Sequence, residues 1–293
     1  MIQPTVRDPL AFDALLSSSW ALFRRNWIVA LPLLIALGLI LALLVVVFAL
    51  GLGAAILSGV RATDGGNSPA FVIIVIVFYL VFAVGAITLN LWGYTATFGM
   101  ADAAWERGTA TFADGNAAFR SRTGALIVAL IGMTGLAILA LILAIPTLFI
   151  ALLAFPLFTM YVFPAVVAGR RGGFEAIGDS IRLVRRFFLP SLIACVVLFG
   201  ISYGISFIAA IPVVPLELAM MPGPGETQPH MPPIPLLVFG LLGYVVAIIL
   251  SLAYTGFYAI AIVGLYRSLV AQPQPSAAPP AAPPPFTSPP AAA

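Results

Sequence analysis

The sequence predicts an all-α fold: a polytopic transmembrane helical bundle of about six spans, with amphipathic interfacial helices at its cytoplasmic face. Two observations carry this, and a third orients it. Residues 26–60, 65–101, 123–169, 187–216 and 227–266 contain no Asp, Glu, Lys or Arg, and each run is long enough for ~20 helical residues to cross a ~30 Å hydrocarbon core. Hydrophobic side chains make up 62% of the 293 residues and charged ones only 8%, too little polar surface to clothe a water-soluble core of this length. Finally, all 13 cationic side chains are arginines, and every one except Arg61 falls in alternate gaps between the apolar runs.

Taken in chain order, residues 1–27 predict a cytoplasmic amphipathic helix. Asp8 can cap it, Pro9 suits the first helical position, and Phe12, Leu16, Trp20, Phe23 and Trp27 form an apolar stripe. The run that follows is far longer than the roughly 7 to 15 residues of a signal-peptide core, so it reads as a retained first span over residues 28–56. A turn-rich stretch at residues 64–69 separates it from a second span over 71–100. Thr111 and Asp114 have capping-box spacing ahead of Phe112, Phe119, Arg120 and Arg122, predicting an interfacial helix near 111–120. The uncharged run 123–169 would extend ~70 Å as one helix, more than twice the hydrocarbon thickness, so it must fold back. Pro146 removes a donor and disfavours the helical conformation at Ile145, which places the hairpin at 144–147 and yields spans three and four.

A second clear interfacial helix is predicted near 173–187. There Phe174, Ile177, Ile181, Val184 and Phe188 recur at intervals of three and four, opposite Glu175, Asp179, Arg182 and Arg186. Acidic residues come first and basic ones last, as the helix dipole favours. Span five follows over 189–211 and span six over 234–266, separated by a loop rich in proline that includes Pro212, Pro215, Pro222 and Pro233. The six-span domain therefore covers 28–270, and the Pro- and Ala-rich residues 271–293 predict a disordered cytoplasmic tail.

Six spans place both termini on one side, together with twelve of the arginines, and the positive-inside bias makes that side cytoplasmic. Abundant Ala, Gly, Pro and Arg with no lysine fit a high-GC bacterial genome, so the expected location is a bacterial cytoplasmic (inner) membrane. Arg24, Arg25, Arg120, Arg122, Arg182, Arg185 and Arg186 are the candidate contacts to anionic lipid head groups. The same helices suit a membrane-protein partner or a second copy of the chain. No nucleic-acid partner is expected, because the positive charge is gathered where head groups account for it.

Signals for chemistry are sparse. His230 is the single histidine, so one subunit offers no two-histidine acid-base pair and no histidine metal cage. Glu217 and Glu226 flank Pro222 and Pro224 without a recognisable ligand spacing. Cys195 stands alone, and a lysine-free chain has no Walker motif. No cofactor, metal or catalytic residue is assigned. Within the spans the polar residues are uncharged; Asn90, Tyr254 and Tyr258 are the candidate cavity-lining set, and Gly200 with Gly204 gives one spacing that lets helices approach. The expected function is that of a non-enzymatic structural or accessory membrane protein. The alternative is a permease or lipid-handling transporter without proton-coupling residues.

The interfacial helices also repeat. Residues 12–14 align with 174–176, and 19–25 with 180–186, so a surface helix followed by two spans describes the chain three times over. The segment 174–188, the proline-ended Tyr161, Val162, Phe163 and Pro164, the opening 19–27 and the closing 258–267 resemble a bacterial and archaeal group of six-span membrane proteins. That group is similar to the membrane domain attached to some glycerophosphoryl diester phosphodiesterases. The resemblance implies a fold and no activity, since the phosphodiesterase chemistry belongs to a separate soluble barrel.

Overall fold

A computed structural model describes residues 12–57, 69–220 and 233–272. Among them the regular structure is entirely helical. The helices are α1 (Phe12–Arg25), α2 (Leu31–Leu57), α3 (Pro69–Arg107), α4 (Phe112–Ala144), α5 (Ile150–Thr159), α6 (Val162–Val167), α7 (Gly173–Arg186), α8 (Phe188–Met220) and α9 (Ile234–Val270), with a 3-10 turn at Trp27–Ala30. Asp8, Pro9, Arg61, Glu226, His230 and the tail beyond 272 lie outside the described residues.

Six segments are long and apolar enough to cross a membrane: Trp27–Gly53, Val72–Arg107, Phe112–Ala144, Ile150–Val167, Phe188–Pro212 and Ile234–Val270. The chain is a multi-pass membrane protein. Its spans pack as three hairpins, α2 on α3, α4 on α5 and α8 on α9. The middle hairpin turns where Pro146 stops α4: Leu148 and Phe149 take left-handed φ values of 49° and 66°, and the Phe149 N–H returns to the Ala144 carbonyl at 2.6 Å.

The fourth span is short and broken. Pro164 lacks an N–H and its ring crowds the carbonyl four residues back, so α5 ends at Thr159 and α6 restarts at Val162. The break is closed from outside the span. Ser180 of α7 donates its hydroxyl to the Phe158 carbonyl at 2.7 Å and accepts the Tyr161 N–H at 3.2 Å.

The buried core lies at the arginine-rich end of the bundle, where Leu15, Val29, Met100, Tyr161, Val184 and Ile260 are nearly inaccessible. Towards the opposite end the hairpins expose Leu, Val, Ile and Phe around most of their circumference, as at Phe48, Ile73, Phe207 and Leu241. Small residues decide where the helices meet. Trp105 of α3 packs against Gly264 of α9, where a Cβ would come within 2.5 Å of the indole, and its Nε1 donates to the Ile260 carbonyl at 2.7 Å.

Several elements differ from the sequence reading. The segment near 111–120 is continuous with span three rather than a separate surface helix, because nothing in Phe112–Ala144 interrupts the helix. Half of its predicted capping box forms: the Thr111 N–H and hydroxyl both donate to Asp114 Oδ2, at 2.9 and 2.8 Å, while the Asp114 N–H bonds the Thr111 carbonyl rather than its hydroxyl. Helix α8 continues through Pro212 and Pro215 to Met220 instead of stopping at 211. The Pro212 ring seats against Gly243 of α9, where any side chain would collide with it.

The two amphipathic helices keep part of the expected stripes, with Phe23, Ile177 and Val184 buried, and turn the rest outward. In α1, Leu15, Ser19, Leu22 and Phe23 are buried, whereas Trp20 and Trp27 are 52% and 58% exposed. In α7, Gly173, Ala176, Ile177, Ser180 and Val184 turn inward, while Phe174 and Phe188 stay exposed. Helix α7 presents Gly173, Ala176 and Ser180 to the bundle, small residues that permit close backbone approach, whereas α1 buries Leu15, Leu22 and Phe23 around Ser19.

Asn26 fixes where α1 ends. It is buried, its Nδ2 donates to the Leu22 and Gly108 carbonyls at 3.1 Å each, and its Oδ1 accepts the Ala110 N–H at 2.9 Å. The amide thereby ties the first helix to the α3–α4 turn. Asn26→Ala leaves the Ala110 N–H and the Gly108 carbonyl without protein partners, and is expected to lower stability by about 2–3 kcal/mol. Thermal unfolding in detergent checks this against Asn90→Ala, whose amide reaches only its own helix.

Candidate functional site

The arginine-rich end assembles the ends of α1, α3, α6 and α9 with the starts of α4 and α7. Its centre is an ion cluster. Arg267, in the last turn of α9, donates from Nε and Nη2 to Asp102 Oδ1 at 2.8 and 2.5 Å, and from Nη2 to Glu106 Oε1 at 2.7 Å. The two carboxylates sit one turn apart on α3, so a single guanidinium spans both and joins the first hairpin to the third. Arg107 pairs with Asp114 at 2.6 Å, linking α3 to the cap of α4. Asp179 of α7 takes Arg171 at 3.0 Å and Arg182 through its other oxygen.

These pairs sort the seven predicted headgroup arginines. Arg24, Arg25, Arg120 and Arg185 are exposed and Arg122 is half-buried, and among the described residues none has a carboxylate within salt-bridge distance. Arg182 is engaged by Asp179. The guanidinium of Arg186 lies 4.9 Å from the Phe187 ring centre. Exposed Trp20 and Trp27 bracket Arg24 and Arg25 on α1, with Trp20 meeting Phe257 of α9 edge-on at 6.0 Å.

Between α3, the first turns of α4 and the residues after α6 lies a polar pocket of about 320 Å3. Asp102, Glu106, Arg107, Asp114, Arg122 and Arg170 line it over a floor of small residues such as Ala103 and Ala118. Arg170 reaches this position from a left-handed backbone, φ 55°, held by the Gly169 N–H to Pro164 and the Arg171 N–H to Ala165, both at 3.0 Å.

The predicted cavity-lining residues divide. Tyr254 and Tyr258 stack obliquely on α9, ring centres 6.1 Å apart, and the Tyr254 hydroxyl donates to the Leu198 carbonyl of α8 at 2.7 Å. Asn90 stands on α3, exposed, with its amide donating to its own helix at Ala86. No hydrogen bond joins it to the tyrosines. Gly200 and Gly204 have open space where a side chain would be, so nothing among the described residues packs closely against them. Among the described residues no group of three His, Cys, Asp or Glu is placed to hold a metal ion.

The residues that organise this end, Asp102, Glu106, Arg267, Asn26, Ser180 and Arg170, were not singled out by the sequence reading. One signal was present: Asp102 and Glu106 are one helical turn apart immediately past an uncharged run, level with the arginine that closes the last span. Arg170 and Ser180 carried no such signal, since their roles arise from backbone geometry. The chain matches no protein-family model, no curated protein and no solved structure.

Proposed function

We propose that this protein is a non-enzymatic structural or accessory component of a bacterial cytoplasmic membrane, with both termini in the cytoplasm and its arginine-rich end seated among anionic lipid head groups. The observation that carries the reading is the set of exposed arginines with no carboxylate partner among the described residues, Arg24, Arg25, Arg120 and Arg185, beside outward-facing Trp20 and Trp27. Tryptophan at the polar boundary and arginine just beyond it are what an interfacial anchor needs. The family resemblance belongs to the same proposal, and rests on residues 174–188, the proline-ended segment 161–164, the opening 19–27 and the closing 258–267. A membrane-protein partner or a second copy would meet the same exposed face. The conduit reading receives less support, because Asn90 satisfies its amide on its own helix and Tyr254 is spent on a helix-to-helix bond.

Lipid mass spectrometry on protein extracted in native nanodiscs tests this. The shell lipids are expected to be enriched in phosphatidylglycerol over the bulk membrane. Replacing Arg24, Arg25, Arg120 and Arg185 together by Gln should reduce that enrichment by roughly fivefold or more, given ~1 kcal/mol per arginine near an anionic surface. Equal enrichment in the two proteins would reject the headgroup role.

A further inference from the structure

We infer that the pocket between α3, α4 and the residues following α6 is a discrete binding site for one phosphoryl group, gripped by Arg122 and Arg170. The inference rests on the headgroup proposal for placing this end at the phosphate layer, and extends it from a diffuse rim of charge to a single stoichiometric site.

Three features of the pocket point this way. Every carboxylate on its wall is already engaged: Asp102 and Glu106 by Arg267, and Asp114 by Arg107 together with the Thr111 cap. Three guanidiniums and three carboxylates line the pocket, Arg267 adds a fourth cation behind the wall, and the two arginines with no carboxylate within salt-bridge distance among the described residues, Arg122 and Arg170, line the same cavity. Those two come from separate elements, the third turn of α4 and the residue behind α6, so an anion between them is held from two sides. Planar guanidinium forks match the oxygens of a phosphoryl group.

Arg170 also occupies a left-handed backbone position between Gly169 and Arg171, where glycine would be the unstrained choice. Strain of this kind persists where the surrounding structure holds it and clusters at ligand-binding positions. The cavity, about 320 Å3, is roomier than a phosphate ion, so an esterified phosphate fits as well. Its small-residue floor, Ala103 and Ala118, leaves that room open.

Full-length protein in detergent is titrated with inorganic phosphate by calorimetry and with phosphatidic acid by native mass spectrometry. Saturable one-to-one binding of phosphatidic acid alone identifies a lipid head group as the source; binding of phosphate as well identifies a site open to soluble phosphoryl compounds. Arg122→Gln and Arg170→Gly should each weaken binding by about tenfold or more, the scale of a charge-assisted hydrogen bond. Arg170→Gly is the decisive variant, because glycine relieves the backbone while removing the guanidinium, so lost binding is not lost folding. Binding of neither probe, or undiminished binding by Arg170→Gly, overturns the site. The rim variant lacking Arg24, Arg25, Arg120 and Arg185 should keep one-to-one binding, which separates a failure of this site from a failure of the headgroup reading.

Discussion

Arg267→Ala is expected to lower stability by about 3 kcal/mol, the range seen when one partner of a largely buried ion pair is removed. Among the described residues the arginine alone holds Asp102 and Glu106 at once, and the Asp102 side chain is just 18% exposed. Without it, two like charges one turn apart face each other at the foot of the bundle. The loss should also loosen α9 from α3, because the remaining polar tie between them there is the Trp105 bond to Ile260. Cys195 supplies the readout. It is the single cysteine of the chain and half-buried in α8, so a thiol-reactive dye reports unfolding on heating. The double variant Arg267→Met with Asp102→Asn should recover most of the loss, since the buried carboxylate is neutralised and the one charge left without its cation, Glu106, is half exposed to solvent. Persistent instability in the double variant would mean that packing, rather than charge, dominates at this position.

Gly173→Leu should be at least as damaging. A Cβ at Gly173 would stand 2.5 Å from the Ala125 carbonyl oxygen and 2.6 Å from the Ala129 nitrogen, both backbone atoms of α4. No rotamer change relieves a clash with a helix backbone, so α7 must move away and draw Ser180 out of the break in span four. We expect a loss of about 3 kcal/mol or more, at the upper end of overpacking effects. The same dye assay reads it, with Gly178→Ala as the control. Gly178 has open space at its Cβ, and alanine there should be neutral or stabilising by up to about 1 kcal/mol through helix propensity.

The spans were legible in the sequence because lipid imposes a simple requirement: a helix that crosses must be long and uncharged, and the boundaries at one end are marked by arginines that must stop at the polar edge. The hairpin at Pro146 and the cap at Thr111 followed from local chemistry alone. The inward faces of α1 and α7 followed only in part: Phe23, Ile177 and Val184 of the expected stripes are buried. In water the whole bulky apolar stripe is buried; at a membrane boundary lipid receives Trp20 and Phe174 equally well, and the contact shifts to Leu15, Ser19 and Leu22 in α1 and to Gly173 and Ala176 in α7. The break in span four was hidden for a related reason. Its proline was visible, but the hydroxyl that repairs the backbone arrives from α7, a contact between distant residues.

The site was legible only as a region. Charge placement located the arginines at one end, yet which of them are paired depends on helix rotation and on the approach of α9 to α3. Arg182 and Arg185 are nearly adjacent in sequence, and one is committed to Asp179 while the other faces outward.

Side-specific labelling tests the central claim that the arginine-rich end is cytoplasmic. In a Cys195→Ser background, Arg185→Cys introduces one thiol at an exposed position of that end. The account predicts that a membrane-impermeant maleimide leaves it unmodified in intact cells and labels it fully once the membrane is opened. Labelling from outside intact cells would contradict the orientation, and with it the headgroup role assigned to Arg24, Arg25, Arg120 and Arg185.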